Sequence, residues 1–276
     1  FGFSSTLASA ANYYVSPSGN DSNNGNSLST PFKTIQKCVS TFSAGDTCHV
    51  RAGTYPEAVN ITRSGTASAP LTLTNYEGES VKIDGQKNKN TLRANNVKYL
   101  IVNGIHLANS NTFAMEAVGS HNVSVTNCEV SYPNHGGLVF RNGSNVLVDN
   151  CNVHHTNDRG LSANHESVSF AEVDGFEIRN SRVWGCKEEG IDAKYGAKNG
   201  KIHSNQVYQN NGPNIYVDAA SNIDIYNNHV WSPITSNKPN ILIAVETTWN
   251  PSRYNVANIR IFNNIIRNGS NVGIGF

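Results

Sequence analysis

Short apolar stretches recur along the chain at a nearly constant interval. From Val102 onward an apolar residue is followed five positions later by another, and successive pairs stand 23 to 36 residues apart. The pairs are Val102/Leu107, Val125/Val130, Val148/Val153, Ile178/Val183, Ile202/Val207, Ile225/Val230 and Ile261/Ile266. Because a unit of about 23 residues cannot bury its apolar face alone, such units must stack on one another.

A third apolar position completes each repeat. It falls thirteen residues after the first anchor, or sixteen in the case of Ile241, at Met115, Leu138, Leu161, Ile191, Ile215, Ile241 and Ile274. The stretches alternate apolar and polar residues, are separated by Gly/Asn turns, and contain no helical period. The pattern therefore predicts an all-β fold, a parallel β-solenoid wound from a single chain.

Polar residues also repeat in the frame, two positions after the first anchor. They are Asn127, Asn150, Asn180, Ser204, Asn227 and Asn263. In stacked coils these side chains would align, so we predict an amide ladder along the solenoid axis. Cys128 and Cys151 occupy the next column, where they are expected to form either a disulfide or a stacked pair of buried thiols. Cys186 has no evident partner.

The N-terminal region differs from the repeats. Thr30-Pro31 followed by FKTIQKCVSTF predicts an amphipathic helix with Thr30 as its N-cap, placed to cover the open end of the solenoid. Cys38 and Cys48 close a short loop and are a candidate disulfide. Residues 1–10 end in Ala-Ser-Ala and are interpreted as the remnant of a secretory signal or as an arm, so we expect a secreted protein.

Residues 11–276 are predicted to form one domain. The sequence stops at VGIGF in mid-coil, which predicts an uncapped or incomplete C-terminal end, or a second chain covering that edge. No other feature of the sequence specifies an oligomer, and a monomer is expected.

Composition narrows the function classes. The 276 residues are 38% hydrophobic and only 15% charged, with a net charge of +1. The absence of a basic excess argues against a nucleic-acid partner, and no apolar stretch approaches the roughly 20 residues that span a bilayer.

Three N-terminal segments, YYVSPSGNDSNNG, TPFKTIQ and GDTCHVRAGTY, resemble secreted right-handed parallel β-helix proteins, a group that contains polysaccharide lyases and some glycoside hydrolases. Residues 188–192, Glu-Glu-Gly-Ile-Asp, resemble the D-D-G-F-D calcium cluster of family 9 pectate lyases. Residues 189–194 resemble the E-x-x-x-x-K stretch of family 6 lyases, in which the glutamate binds calcium and the lysine is the base. The resemblance implies a calcium-assisted lyase, although Asp218 stands where family 6 has an arginine.

The repeat frame predicts which of these side chains share a surface. Alternation around Leu138, Leu161, Ile191 and Ile215 sends the flanking residues outward. One outward column reads Glu116, Val139, Ser162, Asp192, Tyr216 and Leu242, and the next reads Val118, Arg141, Asn164, Lys194, Asp218 and Ala244. Since coils stack about 4.8 Å apart, Asp192, Lys194 and Asp218 should be neighbours. Arg159, Glu189 and Tyr216 should surround them.

This constellation suits β-elimination of a uronate chain. Calcium prefers carboxylate oxygens, and the candidate ligands are Asp158, Glu188, Glu189 and Asp192. Lys194, with its pKa lowered by the metal and by neighbouring arginines, is the candidate base, and Tyr216, Arg159 or a water molecule would return the proton. Asp192 and Asp218 complete the predicted catalytic set. The remaining residues predicted to bind an acidic polysaccharide are Arg141, Asn164, His165, Glu246 and Trp249.

Two other functions use the same surface. A glycoside hydrolase would take its acid and base from Asp192, Asp218 and Glu246, and a non-catalytic glycan-binding solenoid would need no chemistry. Alternatively, Asp192, Lys194 and Asp218 form only a ladder of surface ion pairs.

Overall fold

The chain winds into a parallel β-helix in which each turn of the chain contributes one strand to each of three sheets. The computed structural model describes residues 10–159, 165–234, 238–246, 255–268 and 272–276. The predicted leader or arm therefore lies outside the described residues except for Ala10. No helix within the described ranges is long and apolar enough to cross a membrane.

Strands are numbered β1 to β28 along the chain. Sheet 1 contains β1 (Asn12–Val15), β2 (Thr47–Val50), β5 (Leu71–Asn75), β8 (Lys98–Asn103), β11 (His121–Thr126), β14 (Ser144–Asp149), β17 (Asp174–Arg179), β20 (Lys198–His203), β23 (Ser221–Tyr226) and β26 (Ala257–Phe262). Adjacent strands of this sheet run parallel, and the first anchors of the repeats, such as Val125, Val148 and Ile178, lie in register.

Sheet 2 is built from strands of three or four residues. It contains β3 (Gly53–Tyr55), β6 (Val81–Asp84), β9 (Ile105–Ala108), β12 (Glu129–Ser131), β15 (Asn152–His154), β18 (Arg182–Trp184), β21 (Gln206–Tyr208), β24 (His229–Trp231) and β27 (Ile265–Arg267). The second anchors of the repeat, such as Val130 and Val153, pair here.

Sheet 3 completes each coil. It contains β4 (Val59–Asn60), β7 (Leu92–Arg93), β10 (Met115–Val118), β13 (Leu138–Arg141), β16 (Val168–Ala171), β19 (Ile191–Lys194), β22 (Ile215–Asp218), β25 (Ile241–Ala244) and β28 (Ile274–Gly275). The inward residues of all three sheets form one continuous apolar core along the axis, so the predicted solenoid is confirmed.

One predicted register is wrong. Val168, seven positions beyond Leu161, pairs with Leu138 on one side and Ile191 on the other. The connection that precedes β16 is longer than those of the neighbouring coils. The expected spacing of thirteen residues from Val148 therefore ends at Leu161, before the strand begins. Ser169 and Ala171 therefore occupy the outward positions assigned to Ser162 and Asn164; Leu161, Ser162 and Asn164 lie outside the described residues.

The N-terminal helix α1 (Ile35–Thr41) begins four residues later than predicted. Phe32 is bridged to Val15 of β1, which keeps Thr30 and Pro31 out of the helix. Thr34 is the N-cap, and its hydroxyl accepts a hydrogen bond from the Lys37 amide at 3.1 Å. The helix buries Ile35, Cys38 and Val39, and the predicted Cys38–Cys48 disulfide ties it to β2.

The predicted amide ladder forms in part. The amide of Asn150 donates to Asn127 at 2.8 Å, whereas that of Asn180 donates to Asp149. All six predicted ladder residues adopt φ between 50° and 57°, a left-handed conformation that asparagine tolerates better than most residues. In the adjacent column Cys128 and Cys151 are free, buried thiols.

Candidate active site

A cleft of about 610 Å³ lies over the outward face of sheet 3. Its lining comprises Arg141, Asn142, His165, Glu166, Ala171, Glu172, Glu188, Glu189, Asp192, Lys194, Tyr195, Tyr216, Asp218 and Glu246. Seven of these residues are acidic, and only Arg141 and Lys194 carry a permanent positive charge. The cleft therefore concentrates negative charge, which would repel an anionic ligand that binds without an accompanying cation.

Lys194 lies at the centre of the acidic residues. Its ammonium pairs with Glu166 and stands 3.7 Å from the Asp192 Oδ2 atom. The three side chains are 13%, 10% and 3% exposed, respectively. Glu166 Oε2 and Asp192 Oδ1 are buried and have no hydrogen-bond partner. Two carboxylates thus share one ammonium and keep acceptor capacity unused, which is unfavourable for a purely structural ion pair.

The ionisation of this trio is strongly perturbed. Burial raises the pKa of Asp192 well above its usual value, although the nearby ammonium opposes the shift. Burial also acts to raise the pKa of Glu166, but Lys194 outweighs it and lowers the pKa. The pKa of Lys194 is raised, because Glu166 and Asp192 outweigh the effect of its burial. In this arrangement Lys194 is a cation and Asp192 is the carboxyl that is protonated more readily.

Glu188 and Glu189 lie in the turn before β19 and line the same cleft as Glu166 and Lys194. Burial, followed by repulsion from Glu189 and Glu166, raises the pKa of Glu188 to about 7. Burial and Glu166 likewise raise the pKa of Glu189. Both side chains are therefore destabilised as anions and would gain from a nearby positive charge.

Asp218 and Tyr216 come from the next coil. As predicted, Asp218 lies beside Lys194 in the sheet register and Tyr216 lies beside Asp192. Asp218 is 1% exposed and accepts a hydrogen bond from the Glu246 backbone amide at 2.8 Å. Burial raises the pKa of both Asp218 and Tyr216.

The opposite end of the cleft is formed by Arg141 and His165. The Arg141 guanidinium lies 5.2 Å from the ring centroid of Phe113, and the same ring contacts His165 edge-on. Burial lowers the pKa of His165 to about 4, so the imidazole is neutral near pH 7. A fixed guanidinium beside a neutral imidazole is suited to gripping a sugar carboxylate.

The remaining predicted site residues lie elsewhere. Asp158 pairs with Lys87 at 2.6 Å and approaches Lys187 at 3.9 Å, and it does not line the cleft. Arg159 is exposed and, together with burial, lowers the pKa of His135. Asn164 and Trp249 lie outside the described residues. Neither Asp158 nor Arg159 lines the cleft, and both lie within the long connection between β15 and β16.

Glu166 was missed by the sequence reasoning. The register error at Leu161 assigned residue 166 to a turn beyond the strand. Counting back from the following strand of sheet 1 corrects it, since Val168 stands eight positions before Phe176 as Leu138 stands before Val146. That spacing sets Glu166 just before β16, as Glu189 stands just before β19.

The cleft has the donor chemistry for calcium. Ca²⁺ takes six to eight oxygen ligands, and Glu166, Glu188, Glu189 and Asp192 supply carboxylates, two of which have unpartnered buried oxygens. In their present rotamers, no three His, Cys, Asp or Glu side chains of the described ranges are arranged to hold a metal ion. These residues fit a hard cation by charge and ligand type, and their side chains would have to turn toward it.

Comparison with known proteins identifies the family. A family model described as Pel9A-like, right handed beta helix region, matches residues 13–230. The chain belongs to the Pel9A-like right-handed β-helix family. This membership confirms the predicted right-handed parallel β-helix and its resemblance to polysaccharide lyases.

Curated relatives of this Pel9A-like chain match over short segments. Pectate lyase PEL9 of Emericella nidulans is 50% identical over 80 residues, which are 28% of this chain and 19% of that protein. The uncharacterized protein YwoF of Bacillus subtilis (strain 168) is 42% identical over 73 residues, or 26% of this chain and 15% of that protein. The chain therefore aligns with less than a fifth of either relative's length.

Solved structures resemble the Pel9A-like chain over most of its length. Pectate lyase Pel9A superposes with a TM-score of 0.69 and 14% identity, covering 97% of this chain and 82% of that one. A rhamnogalacturonan lyase superposes with a TM-score of 0.57 and 15% identity, covering 92% and 87%. At these identities the likeness shows a polysaccharide lyase-like β-helix fold.

Proposed function

We propose that this protein is a secreted polysaccharide lyase that cleaves an acidic, uronic acid-containing glycan by calcium-assisted β-elimination, with Lys194 as the base. The observation that carries the proposal is the buried amine of Lys194 beside two carboxylates that each keep one unpartnered oxygen, on sheet 3 of a Pel9A-like β-helix. The pectate lyase activity of the relative named above supports the same reaction class.

The charge of the cleft supports a divalent cation as cofactor. Seven acidic side chains would repel a polyuronate, and Arg141 and Lys194 alone do not balance them. Glu166, Glu188, Glu189 and Asp192 are the residues that would hold the ion. Calcium bound there would neutralise the substrate carboxylate and so acidify the proton on the adjacent C5 carbon. Asp158, a calcium ligand predicted from the sequence, does not line the cleft and is not included in this ligand set.

Lys194 can act as a base only as a neutral amine. Burial favours the neutral form, and the two carboxylates favour the ammonium. Its proton is therefore released most easily when the charges of Glu166 and Asp192 are compensated. The neutral amine then takes the C5 proton, the C5–H electron pair forms the C4–C5 double bond, and the C4–O bond breaks. The Tyr216 hydroxyl, which lines the cleft, or a water molecule protonates the departing oxygen.

Substrate binding is assigned to the ends of the cleft. Arg141 and His165 are proposed to bind a uronate carboxylate at one end, and Glu246 is proposed to bind sugar hydroxyls beside Asp218. Asn164, Trp249 and the exposed Arg159 remain proposed substrate contacts from the connections that border sheet 3.

A glycoside hydrolase is the second candidate, and one observation favours it. The pKa of Asp192 and that of Asp218 are both raised, mainly by burial, so either carboxyl can serve as a proton donor. In that reaction Glu246 would be the third carboxyl, and Lys194 would only tune its neighbours. The lyase is preferred because of the family to which the chain belongs and the ammonium at the centre of the acids.

Secretion is supported by the disulfide between Cys38 and Cys48, both buried against the first coil. Disulfides persist mainly in oxidising compartments. A polymeric plant or microbial glycan would also be encountered outside the cell.

The test is an assay on polygalacturonate, alginate and chondroitin sulfate, first with calcium and then with an excess of chelator. The proposal predicts an increase in ultraviolet absorbance from an unsaturated product on one of these polymers, and its loss with chelator. New reducing ends without that absorbance would indicate the hydrolase. Retention of polymer without cleavage would indicate a glycan-binding solenoid.

A further inference from the structure

The residue that follows each of five neighbouring strands of sheet 3 (β10, β13, β16, β19 and β22) turns in the left-handed region. In successive coils these residues are Gly119, Asn142, Glu172, Tyr195 and Ala219, with φ between 51° and 64°. Glycine and asparagine suit this conformation, whereas a bulky side chain is disfavoured there by contact with its own backbone. The solenoid thus dictates the backbone at position 195, and the tyrosine is an unfavourable choice for it.

On sheet 1, the second residue of several strands has the same left-handed conformation, and this column shows which residue types the conformation favours. It reads Tyr99, Asn122, Asn145, Gly175, Asn199, Asn222 and Asn258, all with positive φ. Its asparagines also bond along the axis, for example Asn145 to Asn122 at 3.2 Å. Unfavourable residues in such positions persist where the surrounding structure or a function compensates them.

The Tyr195 ring is held at the cleft. It is half-buried, it lines the cleft, and its centroid lies 5.0 Å from the Lys194 Nζ atom. The next residue in the column, Ala219, has no side chain that can stack on the ring. An aromatic surface beside the amine is therefore available to a ligand in the cleft.

We propose that Tyr195 is a substrate-binding residue whose ring stacks on a pyranose ring of the acidic polysaccharide next to the reacting uronate. This inference rests on the proposed function, since it requires a sugar polymer in the cleft. Sugar rings expose C–H groups on one face, and these pack on the negative face of an aromatic ring. Stacking of this sugar would fix the neighbouring uronate, whose carboxylate and C5 proton face Lys194.

The experiment compares Tyr195→Asn and Tyr195→Phe with the control Tyr99→Asn, using polygalacturonate with calcium. Asparagine relieves the backbone at both positions, so thermal unfolding should occur about 2 °C higher in each Asn variant or stay unchanged. Tyr195→Asn should raise KM about tenfold with kcat changed far less, whereas Tyr195→Phe keeps the ring and should keep KM. Tyr99→Asn should leave both kinetic constants unchanged.

A KM for Tyr195→Asn equal to that of the unaltered protein would overturn the inference while leaving the lyase proposal intact. A rise in KM for Tyr195→Phe equal to that for Tyr195→Asn would overturn stacking, because the ring is retained. If Tyr195→Asn unfolds at a lower temperature instead, Tyr195→Phe and Tyr195→Ala carry the test by the same comparison. An unaltered protein that neither cleaves nor binds polygalacturonate, alginate or chondroitin sulfate would reject the proposed function itself.

Discussion

Two groups of charged side chains on the same solenoid behave in opposite ways. On sheet 1, Arg179 contacts Asp149 and Glu177 at 2.9 Å, and His203 contacts Glu177 at 2.9 Å. These pairs are partly accessible to solvent. Although partial burial acts in the other direction, hydrogen bonds and the neighbouring cations lower the pKa of both Asp149 and Glu177. This is the behaviour of a surface ion-pair ladder.

On sheet 3 the arrangement of Glu166, Asp192 and Lys194 differs in each respect. The side chains are nearly buried, two carboxylate oxygens have no partner, and burial raises the pKa of Asp192. The interpretation of these charges as a mere surface ladder therefore does not fit sheet 3. Parallel stacking places charged side chains side by side on both sheet 1 and sheet 3. Only on sheet 3, where the cleft buries them, is their ionisation strongly perturbed.

The largest effect is expected from Lys194→Ala. Loss of the base should lower kcat by about 10²- to 10⁴-fold on the cleaved polymer. Because buried carboxylates lose their cation, the free energy of unfolding should also fall by about 3 kcal/mol at neutral pH. Arg179→Ala on sheet 1 is the matched control. Equal activity losses for the two variants would mean that sheet 3 is no more functional than sheet 1.

Glu166→Gln should have the next largest effect. It keeps the shape of the side chain and removes one charged candidate ligand, so calcium affinity measured by titration calorimetry should fall about tenfold or more. The control Glu177→Gln changes a residue of β17, the next strand along the chain, and should bind calcium as the unaltered protein does. An unchanged affinity for Glu166→Gln would remove Glu166 from the ligand set.

The two regions should also respond to pH with opposite signs. The raised pKa of Glu188, about 7, contributes stability that is fully present below its ordinary value of 4.5 and lost as pH rises to 7. The lowered pKa values of Asp149 and Glu177 contribute stability that is lost as pH falls. Melting in chelator should therefore show a decline between pH 4.5 and 7 that Glu188→Gln reduces. The same decline in Glu188→Gln would contradict the assignment.

The smallest effect is expected from Asp149→Asn. The group is exposed enough for solvent to screen its pair with Arg179, so the free energy of unfolding should change by less than about 1 kcal/mol, with activity unaltered. Chemical denaturation and the polymer assay together measure this. A clear activity loss would show that sheet 1 participates in function.

The sequence pattern predicted the fold well, because the spacing of apolar residues and the residue types in the turns are local properties of the sequence. Apolar anchors set the register of most coils, and asparagines mark the left-handed turns. The pattern predicted that Asp192, Lys194 and Asp218 share one surface, since equal coil lengths keep them in register.

The same reasoning failed where coil length changed. Because the connection before β16 is longer, the predicted strand was placed at Leu161 instead of Val168, which hid Glu166. Asp158 and Arg159, which lie in that connection, do not line the cleft. Loop length is weakly constrained by folding energetics, so a periodic pattern cannot anticipate it. The raised pKa of Asp192 was also beyond the sequence, because it depends on burial by neighbouring coils.

The mass of the cleavage products tests the central claim most directly. Polygalacturonate, or whichever acidic polymer is cleaved, is digested with calcium by the unaltered protein and by Lys194→Ala, and the new non-reducing ends are weighed by mass spectrometry. β-Elimination predicts ends that are lighter by one water molecule than hydrolysis products, and their absence with Lys194→Ala. Full-mass ends, or unsaturated ends formed equally well without the lysine, would contradict the account.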